Sequence, residues 1–448
     1  MEKKIDILVI GGGPAGVIGA LTAKKYYPEK SIIVMKNVEH GCIPCGIPYM
    51  FASLQNPDDN KLGNIPLEKN NIGIAIDEAI SINRNSKMVE TKKGNKYLYE
   101  KLVLAIGSSP MVLPIPGLDK EGVYQIYKDM DYLKKCVEKI KNSKKILVIG
   151  GGFIGVEFAD EIAKLEGKTV HLVEMLPNVL SNSFDEEFSF IAEEKLKSKG
   201  INILINTKVE EIKGKNKVEK VLFSNGKELE FDSIILGIGA VPNIKLAVDA
   251  KLEAAERKGI WVDEYMRTID SDIFAIGDCA CKKDFYTRKD TSVMLASTAT
   301  AEARIAGANL YKLKVIREHV GTIAIYSTYI DGLVLSSAGL TEKTAKQEGF
   351  EVIVSTVDGV DKHPASLPGV SKSKVKLIFS KQSGILLGGQ ISCGMACAQM
   401  INLIGVAIQK RMSATELETL QLATHPYLTS APTTYPIILA AQEVSRKI

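Results

Sequence analysis

One pattern occurs twice in this sequence and restricts its folds more than any other feature. "DILVIGGGPAG" (6–16) returns as "KILVIGGGFIG" (145–155). Each copy is a short apolar run of β-type residues, then G-x-G-x-x-G, then a helix-like segment. The glycines are Gly11, Gly13 and Gly16 in the first copy, and Gly150, Gly152 and Gly155 in the second. In such a loop the first glycine permits a tight turn, the second lets backbone approach a pyrophosphate, and the third lets helix and strand pack closely. The helix N-terminus then presents free N–H groups and the positive end of its dipole to the phosphates. A second echo follows the first. "KLVLAIGSSP" (101–110) parallels "SIILGIGAVPN" (233–243), each an apolar strand that runs into a glycine, Gly107 or Gly239. One G-x-G-x-x-G is weak evidence. Two of them, each between a strand and a helix, predict an α/β chain with two Rossmann-like nucleotide-binding units.

The residue at the end of the second strand tells the copies apart. "TVHLVEMLPN" (169–178) ends its strand on Glu174. A carboxylate there accepts hydrogen bonds from ribose hydroxyls and repels a 2′-phosphate. No Arg or Lys follows directly, so the second copy favours NADH over NADPH. The first copy, "SIIVMKN" (31–37), offers Met35 or Lys36 at that place, so adenosine-ribose binding there has to use other groups. "DIFAIGDCA" (272–280) adds a strand closed by Gly277 and Asp278, which taken alone is a common turn.

Candidate reactive groups cluster after the first copy. "HGCIPCGIPY" (40–49) carries Cys42 and Cys45 around an Ile-Pro pair. Pro44 suits the first turn of a helix, and i, i+3 side chains across a helix start are neighbours. The two sulfurs can therefore close a disulfide, and a thiolate at a helix N-terminus has a lowered pKa. A working dithiol and a single working thiol, Cys45, both remain open. A metal site needs two more ligands. Cys279, Cys281, Cys393 and Cys397 qualify by count, but "ISCGMACAQMINLIGVAIQ" (391–409) reads as an apolar, helix-like run whose cysteines are small core residues. Cys136 reads as structural, and no metal is expected. "SFDEEF" (183–188) reads as a helix start with Ser183 as its cap.

Composition bounds the rest. The chain has 448 residues, 45% hydrophobic and 25% charged, as expected of a soluble protein of two to four domains. A net charge of +4 over this length gives no case for a nucleic-acid partner. No apolar run reaches the roughly 20 residues of a membrane span. Seven cysteines without a secretion signal point to a reducing, cytoplasmic compartment. A disulfide there is more often catalytic than structural.

Together the first phosphate loop, "YEKLVLAIGSSP", "IPG" (115–117), "GGGFIGVEFAD", "GIGAVPN" and "IFAIGDCA" resemble, in order, the FAD-dependent pyridine nucleotide–disulfide oxidoreductases. "GTIAIYSTYIDGLVLSSAGLTEKTAKQEGFEV" and "KVKLIFSKQSGILLGGQ" look like that family's C-terminal dimerisation domain. The nearest branch is that of NADH oxidase, NADH peroxidase and coenzyme A-disulfide reductase, where a single redox cysteine sits in a C-G-x-P-Y motif. "CGIPY" puts Cys45 there. Cys42 is extra for this branch, and Pro48 stands where the disulfide-reductase branch has a lysine. "ATHPYLTSAPTTYPI" (423–437) resembles the His-Pro segment of lipoamide dehydrogenase, with His425 as the acid–base residue contributed across a dimer interface and Ser430 in place of the carboxylate that orients it.

The resemblance implies FAD and NADH as cofactors, Asp278 on the ribityl-pyrophosphate of FAD, and Glu157 near the nicotinamide. It implies FAD-binding segments at 1–112 and 244–320, an NAD-binding domain at 113–243 and a dimerisation domain at 321–448, working as a homodimer. Electrons are expected to pass from NADH through flavin and a redox cysteine to a small acceptor: oxygen, peroxide, a low-molecular-weight disulfide or a polysulfide. Delivery to a rubredoxin- or thioredoxin-like protein is the alternative, and a non-catalytic FAD/NADH sensor the remote one.

Overall fold

The computed structural model describes residues 2–317 and 321–448. The chain divides into two compact units. The first comprises 1–113, 126–139 and 239–322, and the second 114–125, 140–238 and 323–448.

The first unit is built on β1 (Glu2–Ile10), α1 (Pro14–Tyr26), β2 (Ile32–Lys36) and β3 (Lys96–Leu104). β1 pairs in parallel with β2 on one side and β3 on the other, and the strand Ile273–Ala275 adds in parallel beyond β3. A strand order that skips along the chain needs crossovers, and the crossovers cover both sheet faces. The C-terminal halves of the central strands, Ile7–Ile10 and Leu102–Leu104, are accordingly buried apolar runs, as parallel strands covered on both faces are. Ile7 and Val9 pack toward α1 and the helix Ala296–Ala308, while Leu8 and Ile10 pack toward Ala247, Ala250 and Leu252. α1 and Ala296–Ala308 approach closely because Gly307 faces Gly19, where a Cβ on Gly307 would lie 2.7 Å from the Gly19 carbonyl oxygen.

The second unit repeats the theme with β4 (Lys145–Ile149), α2 (Phe153–Ala163), β5 (Thr169–Val173) and β6 (Ser233–Leu236). Its parallel sheet runs Val123–Gln125, β6, β4, β5, Asn202–Leu204. The C-terminal part of this unit is a five-stranded antiparallel sheet in the order β7 (Ile325–Ile330), β8 (Leu333–Gly339), β11 (Leu386–Cys393), β10 (Lys372–Ser380), β9 (Val352–Val360). Lys376 of β10 is buried and answers three carboxylates, Asp185 at 3.0 Å, Glu187 at 2.7 Å and Glu342 at 2.8 Å. Burial works against its charge, but Glu187, Glu342 and Asp185 hold its pKa well above the usual lysine value. A buried cation persists when its neighbours satisfy it in this way.

Two local expectations are corrected here. The helix after "SFDEEF" spans Glu186–Ser198 and is capped at Asp185, not Ser183. The Asp185 carboxylate accepts from Gln390 Nε2 at 2.5 Å and from the backbone N–H groups of Glu342 and Lys343, partners a serine could not satisfy together. The "CGMAC" run is not helical from the start. Cys393 ends β11, a 3-10 turn covers Met395–Cys397, and helix begins only at Met400. Cys393 and Cys397 are joined in a disulfide and are not free core thiols. No helix among the described residues is long and apolar enough to cross a membrane.

Candidate functional site

Each phosphate loop is forced by its neighbours. Gly11 has φ +118°, and a Cβ there would fall 2.1 Å from the Ala105 carbonyl oxygen. A Cβ on Gly16 would fall 1.9 Å from the Gly11 oxygen. In the second loop Gly150 (φ +103°) is crowded by the Gly237 oxygen at 2.6 Å, and Gly155 by the Gly150 oxygen at 1.8 Å. Gly13 and Gly152, by contrast, face open space and serve as N-caps without a side-chain hydrogen bond. The first-turn N–H groups of α1 and α2 are therefore left for an anion. These cradles fit the pyrophosphates of two dinucleotides.

The backbone register settles which residue ends each second strand. Gly11 N–H donates to the Met35 oxygen at 2.8 Å, and Gly150 N–H donates to the Val173 oxygen at 2.9 Å. Met35 is thus the counterpart of Val173, and Lys36 the counterpart of Glu174. Glu174 is buried, its carboxylate accepting from Gly151 N–H at 2.6 Å and Leu176 N–H at 2.8 Å. Lys36 is also buried, its Nζ donating to the Glu39 carbonyl at 2.7 Å and to Asn64 Oδ1 at 2.6 Å. Burial pushes its pKa down.

At the same end of the first sheet as its phosphate loop, Gly277–Cys279 forms a 3-10 turn after Ile273–Ala275. Asp278 Oδ2 accepts from Ser108 Oγ at 2.7 Å and Lys128 Nζ at 3.0 Å. Burial opposes its ionisation, but Lys128 and Ser108 hold the carboxyl below its usual pKa. Gly107 and Gly239 come together at a two-stranded ribbon, Ser108–Pro110 with Ala240–Pro242. Asn243 N–H donates to the Gly107 oxygen, and Met111 N–H to the Gly239 oxygen, each at 3.0 Å. No motif marks Lys128, which lies 150 residues from Asp278 along the chain. Ser108 sits beside Gly107 in "AIGSSP", and its hydroxyl there was the available signal.

The two cysteines of "CIPC" sit in different surroundings. Cys42 is buried in a short antiparallel pairing of Gly41–Cys42 with Lys61–Leu62. Burial pushes its thiol up to about 11, with the Lys128 cation opposing. Cys45 is exposed in the 3-10 turn Pro44–Gly46, with Pro44 in the first turn as expected. Both are free thiols. Buried Asn60 clamps the turn. Its Nδ2 donates to the Ile43 oxygen at 3.1 Å, and a Cβ on Gly46 would lie 1.9 Å from its Oδ1. Of the remaining cysteines, Cys136 and Cys279 are buried, and burial pushes both thiols up to about 11. Among the described residues no three metal-ligating side chains gather.

In the second unit Glu157 lies on α2, one turn past its N-terminus. Its carboxylate accepts from Thr328 Oγ1 at 2.9 Å, a β7 residue that no motif pointed to. Burial pushes its pKa up to about 7, Thr328 opposing and Glu161 and Asp160 adding to the rise. Phe153 stacks on Tyr326 beside it, with ring centroids 4.8 Å apart. His425 is exposed, and its Nδ1 accepts from Tyr427 N–H at 3.3 Å. Ser430 does not orient it, because the Ser430 hydroxyl is buried and donates to the Val360 oxygen at 2.6 Å. Tyr427 is exposed and Tyr435 buried.

A fold with two dinucleotide cradles and a thiol just past the first defines a flavin- and nicotinamide-dependent oxidoreductase class. Residues 5–303 match the family model of the pyridine nucleotide-disulphide oxidoreductases, and residues 325–436 match that family's dimerisation domain. The chain belongs to this family. It is an NADH-dependent flavoprotein oxidoreductase, with FAD and NADH as cofactors. It is 31% identical to an NADH oxidase of Methanocaldococcus jannaschii, over 98% of this chain and 99% of that one. It is 32% identical to an NAD(P)H coenzyme A polysulfide/persulfide reductase of Pyrococcus horikoshii, over 87% of each. The structure of an NAD-dependent persulfide reductase from A. fulgidus superposes with a TM-score of 0.91 at 29% identity, covering all of this chain and 83% of that one.

Proposed function

We propose that this chain reduces sulfur–sulfur bonds of small disulfides or polysulfides with electrons from NADH, with Cys45 as the thiol that meets the acceptor. The observation that carries this reading is the split between the paired cysteines. Cys45 is exposed on a clamped turn while Cys42 is buried and held as a neutral thiol. Bound FAD supplies a two-electron relay between NADH and the thiol. The Cys45 thiolate attacks one sulfur of the acceptor, the S–S bond breaks, and the other sulfur leaves as a thiolate or persulfide. Two electrons then cleave the mixed disulfide on Cys45, restore its thiolate and release the second sulfur.

The loops Gly11, Gly13, Gly16 and Gly150, Gly152, Gly155 hold the two pyrophosphates, with Asp278 and Gly107 on the flavin side and Glu174, Glu157 and Gly239 on the nicotinamide side. In this reading 1–112 and 244–320 carry FAD, 113–243 carries NADH, and 321–448 makes a cytoplasmic homodimer. His425 supplies the proton that the departing thiolate takes up. Oxygen competes for the same electrons.

The test compares Cys45→Ser and Cys42→Ser under anaerobic conditions, following NADH consumption with polysulfide. Cys45→Ser is expected to keep its flavin spectrum and lose about 100-fold or more in rate, and Cys42→Ser to lose less than about tenfold. Equal rates in Cys45→Ser and wild type overturn the thiol mechanism.

A further inference from the structure

The two dinucleotide loops are alike in backbone and opposite in charge at one place. Lys36 occupies the position of Glu174, fixed by the paired hydrogen bonds of Gly11 and Gly150 to the strand beside them. The side chains also run alike. A Cβ on Gly12 would meet Lys36 Cδ at 2.6 Å, and a Cβ on Gly151 would meet Glu174 Cβ at 3.0 Å. Both stems therefore lie over the glycine that follows the first glycine of the loop. One ends in an acceptor-only carboxylate, and the other in a donor-only ammonium.

We propose that Lys36 is the residue that holds the adenosine ribose of the first cofactor, and that it reverses the charge preference of that subsite relative to the second. This rests on the reading of the first loop as the FAD site. Two of the three ammonium donors of Lys36 are placed, on the Glu39 carbonyl and Asn64 Oδ1, which fix the Nζ at the strand end. The third is left for a ribose oxygen. Ribose hydroxyls both donate and accept, so a donor serves there as a carboxylate does, with the hydrogen bond running the other way. The acidic groups near Lys36 are Glu39 and Glu68, and burial keeps the ammonium poorly hydrated. A desolvated cation at this place attracts negative charge on the ribose, whereas Glu174 repels it. The first subsite therefore accepts a 2′-phosphorylated adenosine that the second rejects.

The experiment uses the FAD-loaded protein and reads the rise in flavin fluorescence as FAD leaves. Adenosine 2′,5′-bisphosphate is expected to displace FAD from wild type at about a tenfold lower concentration than AMP. Lys36→Met is expected to weaken FAD binding about tenfold and to abolish that preference, while Lys36→Arg keeps both. The inference is overturned if the bisphosphate displaces no more FAD than AMP does, if Lys36→Met holds FAD as wild type does, or if Lys36→Arg loses FAD as Lys36→Met does. The last outcome would mark a loss of shape and not of charge. A colourless wild-type protein would instead sink the FAD reading itself.

Discussion

The two dinucleotide loops form a natural experiment within one chain. Their backbones are nearly interchangeable: a strand, a glycine with positive φ, an uncapped helix N-terminus, and a third glycine jammed against the first. Their side chains diverge at many aligned places, of which two bear on the cofactor. The residue after the aligned backbone hydrogen bond at the end of the second strand is Lys36 in one and Glu174 in the other. The position one turn into the helix is Ile18 in α1 and Glu157 in α2. Backbone contacts specify that a dinucleotide binds, because they act on pyrophosphate, which every dinucleotide has. In the function proposed above, the divergent side chains select which dinucleotide binds and what its reactive end meets.

The comparison breaks hardest at the third glycine. Gly16→Val is expected to leave the purified protein without flavin, read as loss of visible absorbance, since no side chain fits 1.9 Å from the Gly11 oxygen. Gly155→Val is expected to keep the flavin but lose about 100-fold in its reduction by NADH, read by stopped flow. If both variants lose flavin alike, the two loops do not divide the cofactors as assigned.

A smaller effect is expected at Glu174. Glu174→Ala should raise the KM for NADH about tenfold and narrow the gap to NADPH, with kcat little changed, because the lost bonds act equally in ground and transition states. An unchanged KM would detach Glu174 from the ribose.

The remaining effect concerns Glu157, and it is one of stability and not of catalysis. Burial, with Glu161 and Asp160, raises its pKa to about 7 from an ordinary value of 4.5. The folded chain therefore holds a proton that the unfolded chain has released, and stability falls as pH rises from about 4.5 to 7. The full penalty above pH 7 is on the order of 2–3 kcal/mol. Glu157→Gln removes it. The variant should gain melting temperature relative to wild type at pH 8 and show no gain at pH 4.5. A constant difference across that range would mean that the carboxylate titrates normally.

Much of this was legible in the sequence, and the reason is physical. A glycine forced by a carbonyl 2 Å away cannot be replaced, so loops of this kind keep their spelling and can be read without coordinates. The positions of Glu174 and Asp278 were legible because each closes a short apolar strand run, Thr169–Val173 or Ile273–Ala275. Lys128, Asn60 and Thr328 were not, because each acts on a partner far away in sequence and no local pattern is needed to bring it there. The "CGMAC" disulfide was misread because a spacing of four suits a helix face as well as a strand end followed by a turn. Asp185 and not Ser183 sits at the N-cap position, and its carboxylate is held by Gln390 and Lys376, partners that only the folded sheet supplies.

The burial of Cys42 carries a consequence for timing. A thiol with a pKa of about 11 is ionised in only about one molecule in ten thousand at neutral pH. Cys42 is buried in a loop segment held by only a two-residue pairing with Lys61–Leu62. Electrophiles that reach exposed Cys45 at once must wait at buried Cys42 for a local opening. The rate at which Cys42 is labelled is thus a clock for local opening of the cysteine loop, read against Cys45 in the same molecule.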